Sequence, residues 1–84
     1  MKYEVYIEET AVETITGTRG RKRSAIKNFI RSLAVDPFNE GDFFEFDRIG
    51  RKVFTKIVAD YAISFWPDHP VKEIKVFQIS KADE

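Results

Sequence analysis

The fold of this chain is decided by RKVFTKIVA at residues 51–59, followed by YAISFW at 61–66 and KEIKVFQI at 72–79. β-Branched and aromatic residues dominate all three segments, which is typical of strands. Asp60 marks a turn after the first segment, and Pro67-Asp68-His69-Pro70 forms a rigid connection after the second. Because these connections are short, we predict an antiparallel meander.

The sequence before the meander predicts a strand and then a short helix. Residues 2–8 alternate, with Tyr3, Val5 and Ile7 on one face, which indicates a half-buried strand. Thr10 and Glu13 have the spacing of a capping box, so a short helix is expected from there to about residue 16.

A second helix is expected from about residue 21 to 34. Its apolar residues follow one helical stripe, and Asp36-Pro37 ends it because the residue before proline avoids helical geometry. The stripe consists of Ile26, Phe29, Ile30 and Leu33. The two helices should form a hairpin on one face of the sheet.

These elements predict an α+β fold: a small twisted, mainly antiparallel sheet in the order β-α-α-β-β-β, with a helical hairpin on one face. Residues 43–47 (FFEFD) fit one extra short strand. Most of the clustered rings are expected in the core. Because the hairpin covers only one face, some rings should remain outside and form a groove for a protein partner. The rings are Phe43, Phe44, Phe46, Phe54, Phe65 and Trp66.

Length and composition narrow the class of protein. With 84 residues, the chain is expected to form a single domain over residues 1–84. It has no Cys, which excludes disulfides and thiolate chemistry. No apolar run approaches a membrane span and no signal peptide is recognisable, so we expect a soluble cytoplasmic protein. No motif indicates a cofactor or a metal, so neither is expected.

The charges balance overall but are unevenly distributed. There are 14 basic and 14 acidic residues, and this zero net charge argues against strong non-specific binding to nucleic acid. A basic cluster near the start of the second helix consists of Arg19, Arg21, Lys22 and Arg23. It is a candidate surface for nucleic-acid phosphates or a protein partner, and the alternative is a solvated helix start.

A second basic group lies on or beside the central hairpin. If Lys56 points to the open face of the sheet, it is the best candidate for contact with a phosphate group. The alternative is a cross-strand ion pair between Lys56 and Glu45 or Asp47. The other candidates in this group are Arg48, Arg51 and Lys52.

His69 is the only histidine and follows Asp68 directly. The pair could serve in acid–base catalysis, but adjacency in sequence does not establish the required geometry. The flanking prolines favour a solvated turn in which Asp68 accepts hydrogen bonds from local backbone N–H groups.

The order of elements resembles the RelE/ParE superfamily of toxins from type II toxin–antitoxin systems. The resemblance covers most of the chain and rests on LAVDP at residues 33–37, KIVADYAISFWPD at 56–68 and KEIKVFQI at 72–79. It implies a small twisted sheet with helices on one face, and an antitoxin whose extended segment wraps the toxin. The RelE-like branch cleaves messenger RNA on the ribosome, whereas the ParE-like branch inhibits DNA gyrase.

RNA cleavage in the RelE-like branch depends on basic residues near the open sheet face, because fixed cations stabilise the charge that builds on phosphate. The resemblance implies Lys56 and Arg51 for phosphate contact and Lys81 for charge stabilisation. The sequence departs from the family pattern at two points. Ala62 stands after Tyr61, where the family often has Arg, and only Ala-Asp-Glu follows Lys81, without a Tyr or His.

Three interpretations follow. The first is a toxin of this superfamily that is bound and silenced by an antitoxin, with ribosome-dependent cleavage of messenger RNA as the activity to test. The second is a non-catalytic binding module on the same fold, either a ParE-like gyrase inhibitor or an inactive relative. The third is a small structural homodimer that pairs through an exposed strand edge.

Overall fold

A computed structural model describes residues 2–82. The predicted α+β order is confirmed, and the extra short strand is present as β2. The elements are β1 (Glu4–Ile7), α1 (Glu9–Gly17), α2 (Gly20–Val35), β2 (Phe43–Phe46), β3 (Lys52–Val58), β4 (Tyr61–Asp68) and β5 (Glu73–Lys81). Neither helix is long and apolar enough to cross a membrane.

The five strands form one sheet in the spatial order β1-β5-β4-β3-β2. Strands β2 to β5 form the predicted antiparallel meander, and β1 pairs with β5 in parallel. The helical hairpin returns the chain from β1 to the far edge of the sheet, so β1 and β2 are the two edge strands.

The core lies between the helices and one face of the sheet. Ile26 and Leu33 of α2 are fully buried against Ile63 and Phe65 of β4. The ring of Phe65 stacks on that of Phe54, with 5.9 Å between their centroids. The predicted helical stripe and the alternation of β1 are therefore confirmed, since Val5 and Ile7 also pack against this core.

The predicted capping box is wrong. Helix α1 begins at Glu9, and the N–H of Val12 donates to the carbonyl of Glu8, so Glu8 rather than Thr10 is the N-cap. The Thr10 hydroxyl instead donates a hydrogen bond to Glu8 Oε1, at 3.4 Å. Strand β1 ends at Ile7, and this leaves only one residue for the change from strand to helix.

Strand β4 is longer than predicted, because it continues through Pro67 and Asp68. Both residues remain in register with β5, opposite Ile74 and Glu73. The connection is a 3₁₀ turn at His69–Val71, which ends at Lys72 in the left-handed conformation.

The prediction that most clustered rings are in the core is also wrong. Only Phe54 and Phe65 are buried, whereas Phe43, Phe44 and Phe46 are 50–64% exposed on β2. Strand β2 is an edge strand beyond the cover of the hairpin, so its rings extend past the core.

Candidate functional site

The strand register separates the two faces of the sheet. Residues directly opposite each other in neighbouring strands point to the same side. Phe54 pairs with Phe65, and Ile63 with Ile79, and all four belong to the core under the helices. We call this side the helix face and the opposite side the open face.

Carboxylates outnumber cations on the open face. Glu4 pairs with Glu73 in β5, and Glu73 pairs with Asp68 in β4, so three carboxylates occupy one row across three strands. Glu45 of β2 is on the same face. Asp47, just after β2, adds a fifth carboxylate beside Arg51, just before β3. Against these carboxylates, the cations that the described strands and their ends place on this face are Arg51 and Lys75.

Arg51 is held by two contacts at one end of this face. Its Nε donates to Asp47 Oδ2 at 2.8 Å, and its guanidinium lies 4.2 Å from the centroid of the Trp66 ring. Partial burial raises the pKa of Asp47, but hydrogen bonds from Arg51 and Ile49 outweigh this effect and lower it. The Arg51 guanidinium is therefore held in place, with the Asp47 carboxylate as its counter-ion.

Lys75 also has a carboxylate partner. Its Nζ lies 3.1 Å from Glu73 Oε1 and 5.7 Å from the ring centroids of Tyr6 and Trp66. The Tyr6 hydroxyl donates to Glu4, and this hydrogen bond and the charge of Glu4 raise the pKa of Tyr6. The protein's own cations thus lie over the rings of Tyr6 and Trp66.

These side chains line an open groove of about 370 Å³ at the end of β1, to which Tyr6, Glu8, Arg51, Trp66 and Lys75 contribute. The groove combines aromatic and charged groups, as single-strand nucleic-acid sites do. It differs from them in its charge, because both of its cations are already neutralised by carboxylates.

The middle of the open face is uncharged over the described strands. Thr55 pairs with Ser64, and Ser64 with Gln78, while Ala62 pairs with Ile57 and Ser80. The hydroxyl oxygens of Thr55 and Ser64 are 3.3 Å apart. This part of the surface offers hydroxyl and amide groups but no fixed positive charge.

Lys56 does not point to the open face. It pairs with Ile63, so its side chain leaves the sheet on the helix face. Its Nζ lies 3.0 Å from Asp42 Oδ1, which replaces the predicted partners Glu45 and Asp47. Asp47 is bound to Arg51 instead, and Asp42 is available because the turn at Gly41 brings it beside β3.

Lys81 lies at the end of β5 and is exposed. It pairs with Tyr61, which packs against the core, so Lys81 is also on the helix face. Lys56 and Lys81 therefore lie on one side of the sheet and Arg51 on the other. Asp83 and Glu84, which follow Lys81 in sequence, lie outside the described residues.

The basic cluster of the second helix is mostly exposed. Arg19 and Arg21 are exposed, and Lys22 makes a solvent-exposed ion pair with Asp60 at 3.6 Å. Arg23 is different, because its guanidinium donates to the carbonyls of Thr18 and Thr16 at the end of α1. Helix α2 carries five cations and no carboxylate, which makes the helix side of the molecule the basic side.

The two remaining basic candidates lie near the β2–β3 hairpin. The Nζ of Lys52 is 4.1 Å from the centroid of the Phe44 ring, on the helix face. Arg48 is exposed in the turn after β2. Lys52 is therefore on the opposite side of the sheet from the Arg51 guanidinium.

His69 makes its side-chain hydrogen bond with Tyr3 and not with Asp68. Its Nδ1 lies 2.7 Å from the Tyr3 hydroxyl, and its ring stacks on Phe38 with 4.8 Å between centroids. Asp68 accepts no hydrogen bond from the local backbone within residues 2–82, so that expectation is wrong too. In the same part of the chain, no group of three His, Asp or Glu side chains is arranged to hold a metal ion.

The sequence did not predict that Lys75 lies beside Trp66 and Tyr6. The alternation of β5 carried the signal, because Ile74 and Val76 must face the core and Lys75 must then face the other way. The parallel pairing of β1 with β5, which brings Tyr6 beside Lys75, has no comparable local signal.

Solved structures that share this fold include two from toxin–antitoxin complexes. One is a chain of the archaeal RelE–RelB complex from Pyrococcus horikoshii OT3, with a TM-score of 0.81 and 16% identity, over 98% of this chain and 97% of that chain. The other belongs to the toxin–antitoxin complex RelBE2 from Mycobacterium tuberculosis, with a TM-score of 0.77 and 16% identity, over 96% and 99%. No family model and no curated protein matches the sequence. The predicted RelE-type fold is confirmed.

Proposed function

We propose that this chain is the toxin component of a toxin–antitoxin module and acts by binding its target, without cleaving RNA. The RelE-type fold extends over nearly the whole chain, and both similar structures come from complexes of a toxin with its antitoxin. An antitoxin protein is accordingly the proposed partner.

The proposal of binding without cleavage depends on the charges of the open face. Attack on a phosphodiester concentrates negative charge, and an enzyme needs fixed cations or donors directed at it. The middle of this face is uncharged, and Arg51 and Lys75 are each paired with a carboxylate. An RNA strand on this face would also meet Glu4, Glu45 and Asp68, which repel phosphate groups.

The endonuclease interpretation requires Lys56, Arg51 and Lys81 to act on one phosphate group. Lys56 and Lys81 leave the sheet on the helix face, whereas the Arg51 guanidinium is over Trp66 on the open face. A phosphate group cannot contact both faces of a packed sheet at once. This separation supports the binding mechanism over cleavage.

Tightly induced expression tests the proposal, with growth, messenger RNA integrity, translation and DNA supercoiling followed in parallel. We expect growth arrest with intact messenger RNA, and relief of the arrest by a co-expressed antitoxin. A change in supercoiling would identify gyrase as the target. Ribosome-dependent RNA fragments that disappear in Lys56→Ala would overturn the binding mechanism, and normal growth with soluble protein would overturn the toxin assignment.

A further inference from the structure

Strand β2 forms one edge of the sheet, and within residues 2–82 no strand pairs with its outer side. The N–H of Asp47, just after β2, donates to the carbonyl of Arg51 across the hairpin. The backbone groups of an antiparallel strand point alternately to its two sides, so those of Phe44 and Phe46 point away from β3. These two residues therefore offer backbone donors and acceptors to a further strand.

The side chains of this edge are aromatic. The rings of Phe44 and Phe46 lie on the helix face with 5.8 Å between their centroids, and Phe43 is on the open face. All three are 50–64% exposed. Edge strands that must stay unpaired usually carry charges, proline or a bulge, whereas Glu45 is the one charged residue of β2. This edge is thus poorly protected against pairing.

We propose that β2 pairs in antiparallel fashion with β2 of a second copy of this chain, about a two-fold axis that passes beside Phe44. The two five-stranded sheets then continue into each other. An axis normal to the sheet keeps both helical hairpins on one side, so the Phe44 and Phe46 rings of both copies meet there. This inference does not depend on the toxin assignment.

The pairing centred on Phe44 brings no like charges together. Phe44 lies opposite the partner's Phe44, and Phe43 lies opposite the partner's Glu45. Phe46 lies opposite the partner's Asp42, whose carboxylate already accepts two hydrogen bonds within its own chain. Aromatic residues directly opposite each other stabilise a strand pair.

Other centres are less favourable. An axis at Glu45 places two Glu45 carboxylates directly opposite each other, and like charges at such positions are destabilising. An axis at Phe46 places Glu45 opposite the partner's Asp47, with the same effect. The order of aromatic and acidic residues therefore selects Phe44 as the centre.

A second copy fits this edge better than a nucleic acid. Asp42, Glu45 and Asp47 lie on or beside β2, and their charges repel phosphate groups. The outward N–H and C=O of Phe44 need an acceptor and a donor with strand spacing, and the same residue of a second copy supplies both.

The size of the contact predicts a reversible dimer. A buried Phe removes about 150–250 Å² from water, so the six half-exposed rings of two copies supply roughly 600 Å². Stable interfaces of standard size bury about 1,200–2,000 Å². The dimer should therefore dissociate on dilution.

Cysteine cross-linking tests the register, because the chain has no cysteine of its own. Facing Cα atoms of a hydrogen-bonded pair are about 5.5 Å apart, within the span of a disulfide. The two Phe46 positions would be about 14 Å apart along the strands. On oxidation we expect Phe44→Cys to form at least tenfold more covalent dimer than Phe46→Cys or Glu45→Cys. Equal or greater cross-linking in either of the other two variants would overturn the inference.

Sedimentation equilibrium tests the association itself. The mass of the unmodified chain should rise with concentration towards that of a dimer. Phe44→Glu should raise the dissociation constant at least tenfold, whereas Val12→Glu, with the same change of charge at an exposed position on α1, should leave it within about twofold. Circular dichroism verifies that both variants are folded, and cross-linking of Phe44→Cys decides if Phe44→Glu is not. A monomeric mass at every concentration up to about 1 mM, or equal effects of the two variants, would overturn the inference.

Discussion

The carboxylate of Asp42 ties Lys56 to the edge of the sheet. Its Oδ1 lies 3.0 Å from Lys56 Nζ, while its Oδ2 accepts the N–H of Ile57 at 2.8 Å. The N–H of Asp42 in turn donates to the carbonyl of Thr55 at 2.7 Å. Asp42 therefore holds the loop before β2 against β3, and Lys56 is one part of that attachment.

This attachment predicts acid sensitivity. The N–H of Ile57 first, and then Lys56, lower the pKa of Asp42, and hydrogen bonds from Arg51 and Ile49 lower that of Asp47. A carboxyl group with a lower pKa in the folded state stabilises the fold above its unfolded value of about 4, and this stabilisation is lost as the pH falls through the folded value. Urea unfolding from pH 7 to pH 2 should show stability falling below about pH 4. In Asp42→Asn the fall should be smaller than in the unmodified chain. If the variant and the unmodified chain lose stability equally below pH 4, the proposed role of the Asp42 carboxylate is contradicted.

A second prediction concerns Gly41, which precedes Asp42. Its φ is +62°, and a Cβ at this position would lie 2.5 Å from the carbonyl oxygen of Thr55. Gly50 has a similar φ of +83° but open space around it, so it is a matched control. Gly41→Ala should lower the free energy of unfolding by about 2–3 kcal/mol and Gly50→Ala by about 1 kcal/mol, because only the first adds a clash to backbone strain. Urea unfolding checks this order, and equal losses would contradict the close approach.

A third prediction concerns the contact between Tyr3 and His69. The Tyr3 hydroxyl has one strong partner, His69 Nδ1, and donation by the hydroxyl requires the ring proton of neutral His69 to be on Nε2. Nitrogen-15 NMR of neutral His69 should detect the Nε2–H tautomer. Tyr3→Phe keeps the ring beside Phe38 and should cost about 0.5–1.5 kcal/mol of unfolding free energy. A dominant Nδ1–H form would contradict this arrangement.

Local patterns in the sequence were sufficient for most of the fold. The alternation of Tyr3, Val5 and Ile7 and the stripe from Ile26 to Leu33 each depend on one element, and both are confirmed by burial. The capping-box prediction failed because the helix begins earlier than Thr10. Strand β1 ends at Ile7, and the carbonyl of Glu8 already accepts the first helical hydrogen bond, from Val12.

The candidate site was harder to predict, because it depends on register. A shift of one residue moves a side chain to the other face of a strand. Sequence alone left the direction of Lys56 open, and its pairing with Ile63 determines it. Asp42 is 14 residues from Lys56 in sequence, and only the turn at Gly41 brings the two together.

The fourth prediction uses Trp66, the only tryptophan, as a reporter of the open face. The Arg51 guanidinium lies 4.2 Å from its ring centroid, so Arg51→Ala should change the emission of Trp66. Single-stranded RNA added to the unmodified chain should leave this emission unchanged, because the open face carries more carboxylates than cations.

Any binding of RNA that anisotropy detects should weaken with salt. It should also be reduced in Arg19→Glu with Arg21→Glu, since the basic side is the helix side. Lys75→Ala is the matched control, and it should leave RNA affinity within about twofold. Quenching of Trp66 by RNA, together with loss of affinity in Lys75→Ala, would assign RNA to the open face and contradict the charge argument on which the proposed function rests.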